Sequence, residues 1–227
     1  MGGQACILYG GAEFSRDIDL SIGVDSENLI AVKRALAQLE ACVVFLPALE
    51  VEALKRGHAC HFRCQAEGVE GLRIDLMTKM RGCPDFSGLW DRRSIVNIPD
   101  IGEIGLLSLP DLVRAKKTQR EKDWPMIRRL IETDVSANLA QADESQIVFW
   151  LEECRTPILL SKLAQDHPTV CKGVMTRRPL LEAALTQDLS TLEDLLHSEE
   201  KTEKEIDRVY WQPLRMELEQ WRRQRKE

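Results

Sequence analysis

Ser15-Arg16-Asp17-Ile18-Asp19-Leu20 sets two carboxylates on either side of one apolar residue, and Arg73-Ile74-Asp75-Leu76-Met77 supplies a third. In an extended strand alternate side chains share a face, so Asp17 and Asp19 point together while Ile18 turns toward a core. Neighbouring carboxylates repel unless a cation lies between them, and hard oxygen ligands of this kind suit Mg²⁺. Asp75 sits in the apolar stretch from Leu72 to Met77 and is expected on a neighbouring strand. Three converging carboxylates would hold one or two metal ions, an arrangement used to move phosphoryl groups. The expected chemistry is phosphoryl or nucleotidyl transfer.

Around that stretch the chain changes character. Residues 1 to about 108 carry nearly all the glycines and the β-type runs Cys42 to Leu46, Ala59 to Cys64, Leu72 to Met77 and Ile104 to Leu107. Between them Ser26 to Ala41 reads as an amphipathic helix, with Leu29, Val32, Leu36 and Leu39 at three- or four-residue spacing. Ser108 is suited to cap a helix that carries Pro110 in its first turn and Asp111 at its third position. From there helical character dominates. The expected organisation is an α/β (α+β) part over 1–108, a mixed sheet flanked by helices, followed by an all-helical region over 109–227.

The 227 residues, 44% of them hydrophobic, are enough for a sizeable core, and no apolar run approaches the roughly 20 residues that span a bilayer. The first residues show no basic segment leading into an apolar one, so no secretory signal is read. Seven scattered cysteines, an odd number, suggest reduced thiols and a cytoplasmic protein rather than a disulfide framework. A net charge of −6 argues against non-specific coating of nucleic acid while leaving room for a local basic groove.

The order of glycine pair, Asp-x-Asp and later single Asp resembles the nucleotidyltransferase superfamily that includes DNA polymerase β and the small bacterial nucleotidyltransferases. Thirteen residues separate Gly2-Gly3 from Asp17, which fits the family's spacing, whereas Gly10-Gly11 lies only five residues away. A second match runs through Leu107-Ser108-Leu109-Pro110-Asp111-Leu112-Val113 to Lys116-Lys117-Thr118-Gln119-Arg120-Glu121-Lys122-Asp123. It is similar to a helix of nucleotidyltransferases of the abortive-infection toxin type. The likeness covers residues 2 to about 130.

The resemblance implies a DNA polymerase β-like fold and a Mg²⁺-dependent transferase that moves a nucleoside monophosphate from an NTP to an acceptor hydroxyl. Asp17 and Asp19 would bridge two Mg²⁺ ions, and Asp75 would complete the site of the ion that activates the acceptor. Gly2, Gly3, Ser15 and Arg16 would face the phosphates, and Lys116, Lys117, Arg120 and Lys122, with Asp123, would shape the nucleotide site. RNA, a protein side chain or a small molecule would be the acceptor. The family normally has a β-strand before its glycine pair, and here Met1 alone precedes it. That departure motivates the alternative of a silent binding or regulatory module of the same fold. A toxin–antitoxin component is a third reading.

His58, Cys60, His61 and Cys64 are zinc-type ligands, but on a strand His61 faces away from the others and no second Cys-x-x-Cys pair completes a site. A core strand is the expected reading. Ile147, Val148, Trp150 and Leu151 suggest a packed helix, and Leu180 to Leu196 two short apolar stripes. The tail from Lys201 to Glu227 is expected to be an amphipathic helix that docks on the chain itself, on a second copy or on a partner such as an antitoxin. Its basic end comprises Arg222, Arg223, Arg225 and Lys226.

Overall fold

In the computed structural model, which describes residues 1–224, the carboxylate-bearing stretches form adjacent strands of a mixed α/β architecture with a helical C-terminal region. Two compact units divide the chain. Unit 1 holds Met1–Leu8, Ala12–Ala115 and the chain from Arg208 onward, and unit 2 holds Tyr9–Gly11 and Lys116–Asp207. The helical segment after residue 108 is thus shared between the units rather than forming one of them.

Unit 1 runs α1 (Gly2–Leu8), β1 (Asp17–Ser21), α2 (Ser26–Gln38), β2 (Cys42–Phe45), α3 (Val51–Arg56), β3 (Cys60–Arg63), β4 (Arg73–Met77), α4 (Phe86–Asp91), β5 (Ser94–Ile98), β6 (Gly102–Leu106) and α5 (Leu109–Lys116). Four strands make one sheet in the order β1-β4-β3-β2. The β1–β4 pair is parallel and the other two pairs are antiparallel. Alternation decides its faces: Cys60, Phe62, Cys64, Ile74 and Leu76 point into a core shared with Ile22, Leu29, Leu36 and Leu54. Helix α2 supplies Leu29 and Leu36 from one face, and Asp25 caps its first turn through the Asn28 amide at 2.8 Å. The helix ends at Gln38, three residues short of the expected end, because Glu40 adopts a positive φ of 47°.

Hairpin β5–β6 is a separate two-stranded sheet. Helix α5 starts where the sequence indicated, with the Ser108 hydroxyl at 3.4 Å from the Asp111 amide. The Asp111 carboxylate is buried and takes a guanidinium fork from Arg92, at 2.7 and 3.2 Å, which ties the segment after α4 to α5.

Unit 2 is helical: α6 (Asp123–Asn138), α7 (Glu144–Glu153), α8 (Pro157–Asp166), α9 (Pro168–Val174), α10 (Leu181–Leu185) and α11 (Leu189–Gln224), whose residues beyond 207 belong to unit 1. Trp124, Ile127, Leu130, Trp150, Leu151, Leu160, Leu163, Leu181 and Leu192 form its buried set. Each such side chain contributes on the order of 1.5–3 kcal/mol by leaving water. Gly10 and Gly11 lie against α6, where a β-carbon on Gly11 would stand 2.5 Å from Leu130. That contact accounts for this second glycine pair.

The last turns of α11 pack on α3 within unit 1. Gly57 ends α3 with a φ of 111°, and a β-carbon there would meet the Tyr210 hydroxyl at 3.2 Å. His58 is 1% exposed; its Nε2 lies 2.7 Å from Glu217, and its ring centroid lies 4.8 Å from that of Trp221. Rather than sharing one strand with Cys60 and Cys64, it precedes β3, and Cys64 follows that strand. The hydrogen bond from His58, with the charges of Arg56 and His58, holds the Glu217 carboxyl below its usual pKa despite some desolvation. Of the basic end, Arg222 and Arg223 close α11, while Arg225 and Lys226 lie outside the described residues. No described helix is long and apolar enough to cross a membrane.

Candidate metal and nucleotide site

Strand register builds the site. Across the parallel β1–β4 pair Asp19 stands beside Asp75 and Asp17 beside Arg73; across β4–β3 Asp75 stands beside His61 and Arg73 beside Arg63. Two rows result on one sheet face, Asp19–Asp75–His61 and Asp17–Arg73–Arg63, opposite the apolar face of the same strands. Asp17, Asp19 and Asp75 each offer a carboxylate oxygen within 4.8 Å of the others. Unscreened by a cation, each such pair repels by about 1 to 3.5 kcal/mol. The donor set is all hard oxygen at close range, which suits Mg²⁺.

Each carboxylate is held by its neighbours. The Ser15 hydroxyl lies 3.1 Å from both Oδ1 and the main-chain oxygen of Asp17. The Gly3 amide donates to Asp19 Oδ2 at 3.4 Å, and the Met1 nitrogen to the Asp19 carbonyl at 2.8 Å. The glycine pair has a steric reason. A β-carbon on Gly2 would stand 1.7 Å from Asp19 Oδ2, and one on Gly3 would stand 2.3 Å from Ser15 Oγ. Gly2 also has a φ of 63°, where side chains are disfavoured. Thus Gly2 and Gly3 leave the space that Asp19 and Ser15 fill. Arg16 is exposed and lies 6.0 Å over the Phe14 ring.

Asp75, 6% exposed on the central strand β4, has the most partners. Arg73 forks it, Nε to Oδ1 at 2.9 Å and Nη2 to Oδ2 at 2.8 Å, while His61 Nδ1 lies 2.7 Å from Oδ1. Burial disfavours the charged carboxylate, but the hydrogen bonds and charges of His61 and Arg73 outweigh it and hold its pKa below the usual value. The hydrogen bond to Asp75 likewise stabilises the charged guanidinium of Arg73 against its burial, helped by the charges of Asp75, Asp17 and Asp19. Arg73 is a resident counter-cation of the cluster. Oδ1 of Asp75 is used twice and Oδ2 once, which leaves Oδ2 the open lone pair.

A carboxylate whose folded pKa is depressed stabilises the fold above its unfolded pKa of about 3.9 and loses that contribution as pH falls through the folded value. Arg73→Gln removes the fork and leaves His61 alone to oppose burial, so the Asp75 pKa rises. Its acid unfolding limb should therefore move to higher pH, read as melting temperature against pH without divalent metal. An unmoved limb would mean that His61 alone holds the charge.

The other expected nucleotide ligands belong to unit 2, and three of them are in ion pairs there. Lys116 Nζ lies 3.2 Å from Asp123, Arg120 Nε lies 2.9 Å from it, and Lys117 lies 2.7 Å from Glu153. Lys122 is exposed at the start of α6. Sequence reading missed Arg73 and His61 as partners of Asp75. Arg73 was legible, since two residues on one strand share a face; His61 needed the strand order. No protein-family model matches the chain, and no curated protein matches it. The chemistry of the site rests on its own residues.

Proposed function

We propose that this chain is a Mg²⁺-dependent nucleotidyltransferase that moves a nucleoside monophosphate from an NTP to an acceptor hydroxyl. The observation that carries this reading is the convergence of Asp17, Asp19 and Asp75 within 4.8 Å, with Gly2 and Gly3 packed on Asp19 and Ser15. Asp17, Asp19 and Asp75 would hold Mg²⁺, which when bound neutralises charge on the α-phosphate and the departing pyrophosphate. Ser15 fixes the Asp17 carboxylate, and the Gly3 amide fixes that of Asp19. Arg16, exposed beside them, offers a guanidinium fork to a phosphate. Arg73 and His61 orient Asp75. In the reaction the acceptor oxygen bonds to the α-phosphorus as the bond to pyrophosphate breaks. Pyrophosphate leaves with the electron pair, and the hydroxyl proton passes to water.

Thermal unfolding with each NTP, with and without Mg²⁺, tests this without knowledge of the acceptor. A ligand at about 100 times its dissociation constant adds roughly 2.7 kcal/mol, a shift of several degrees. Asp19→Asn should abolish the Mg²⁺-dependent shift and leave the fold intact or slightly more stable, because one repelling charge is gone. A wild-type shift that survives in Asp19→Asn would sink the proposed site. One observation favours the alternative of a silent binding module: Arg73 already supplies a cation to the carboxylates. That reading predicts nucleotide binding without Mg²⁺ dependence.

A further inference from the structure

Beyond Asp75 the polar face of the four-stranded sheet continues onto β3 and β2, and its residues there are not core residues turned outward by chance. A bulge in β2 shifts the register between Val43 and Phe45, so that Phe45 stands opposite His61. Unbroken pairing from Val43–Phe62 would set Phe45 opposite Cys60, on the apolar face. The irregularity instead delivers Phe45 to the polar face, half exposed, with its ring 5.9 Å from that of His61 in an edge-on contact. One row away Arg63 is exposed, and its side chain makes no ion pair or hydrogen bond among the described residues.

We propose that Phe45, His61 and Arg63 form the acceptor platform, and that the acceptor is the end of a single-stranded nucleic acid. This assignment rests on the nucleotidyl-transfer reading. Sequence-tolerant binding of single strands combines an aromatic face for the bases with cations for the backbone, and this face supplies both. A base stacks on the exposed Phe45 ring, which meets the His61 ring nearly at a right angle, and Arg63 forks the adjoining phosphate. The order across the sheet gives the direction. Gly2, Gly3 and Ser15 adjoin β1, on the side of Asp17 and Asp19, whereas the platform lies beyond β4. Phe45 is two strand spacings, about 10 Å, from Asp75, so a strand lying on the platform brings its terminal hydroxyl to the Asp75 side of the cluster. The NTP enters from the other side. A platform of three residues is local, in keeping with a chain whose net charge is −6.

The test is fluorescence anisotropy with the full chain and a labelled oligouridylate of about ten nucleotides, without Mg²⁺ or NTP. A matched oligodeoxythymidylate tells which sugar is taken. Phe45→Ala and Arg63→Gln should each weaken binding about tenfold, with the protein still folding cooperatively because Phe45 is half exposed and Arg63 exposed. Arg63→Gln should also flatten the salt dependence by about 0.7 in the log–log slope. Trp90→Ala removes another exposed aromatic, on α4 with the Arg93 guanidinium 3.9 Å from its ring centroid, and should leave binding unaltered. Failure to bind either oligonucleotide, or equal binding by all three variants, overturns the platform. So does a loss of Mg²⁺-NTP stabilisation in Phe45→Ala with oligonucleotide binding intact, since the ring would then serve the nucleotide. The nucleotidyl-transfer reading fails separately, by absence of any Mg²⁺-dependent NTP shift in a chain that still binds the oligonucleotide through Phe45 and Arg63.

Discussion

Gly2→Ala is expected to eliminate Mg²⁺-dependent stabilisation by NTP while costing the free protein far less. The β-carbon would occupy a point 1.7 Å from Asp19 Oδ2, 2.4 Å from its carboxyl carbon and 2.7 Å from its β-carbon. Either the Asp19 carboxylate leaves the cluster or the start of α1 moves away and takes the Gly3 amide with it. Both outcomes separate groups that must converge for a cation to be held. The left-handed backbone at Gly2 adds about 1–2 kcal/mol of strain once a side chain is present. Gly68 provides the control, because its φ of 82° carries the same kind of strain with nothing within 4 Å of a new β-carbon. Gly68→Ala should lower the melting temperature slightly and leave the NTP increment whole. An increment preserved in Gly2→Ala would show that Asp19 is not needed where it stands.

The largest loss of stability is expected from Asp123→Asn in unit 2. Its carboxylate is fully buried and takes Lys116 at 3.2 Å, Thr118 at 2.6 Å and Arg120 at 2.9 Å. Burial works against the charged form, but Lys116, Thr118 and Arg120 together keep its pKa below the usual carboxylate value. The stabilisation is thus present above the unfolded pKa and lost as pH falls through the folded one. Asparagine keeps the shape and removes the charge, leaving Lys116, only 8% exposed, without its counter-ion. Breaking one side of a buried pair costs about 3–5 kcal/mol, a drop on the order of ten degrees in the melting of this unit. Calorimetry is the measurement, and the pair Lys116→Met with Asp123→Leu should recover most of the loss. A drop of under about 1 kcal/mol would mean that water reaches Lys116.

The face shared by Asp17 and Asp19 was legible because a strand repeats every two residues, and the start of α5 because Ser108 and Pro110 are local signals. The run from Leu72 to Met77 was legible as a strand for the same reason. What the sequence could not convey was which strand lies beside which. Asp75 and His61 become partners only through the order β1-β4-β3-β2, a long-range fact with no local trace. Strand β5 was missed since Ser94–Ile98 pairs with β6 around a turn whose Asp100 has a φ of 64°, without the usual Asn-Gly signal. The basic run from Lys116 to Lys122 invited a ligand role on composition, whereas its ion pairs with Asp123 and Glu153 depend on tertiary packing. The two apolar stripes after Leu180 became a short helix and the start of α11, which runs on through Pro213.

Helix α11 belongs to both units, and Tyr9–Gly11 belongs to the second while its neighbours belong to the first. Neither unit is therefore a contiguous stretch of polypeptide. A ribosome that has released residues 1–115 has made every strand of the sheet, yet His58 still lacks Glu217 and Trp221. Unit 1 must wait until Trp221 has been made before its last side chains are covered, and unit 2 is synthesised within that interval. Genetic dissection into two expressible fragments should fail for the same reason, because any single cut leaves one piece without part of its own interior.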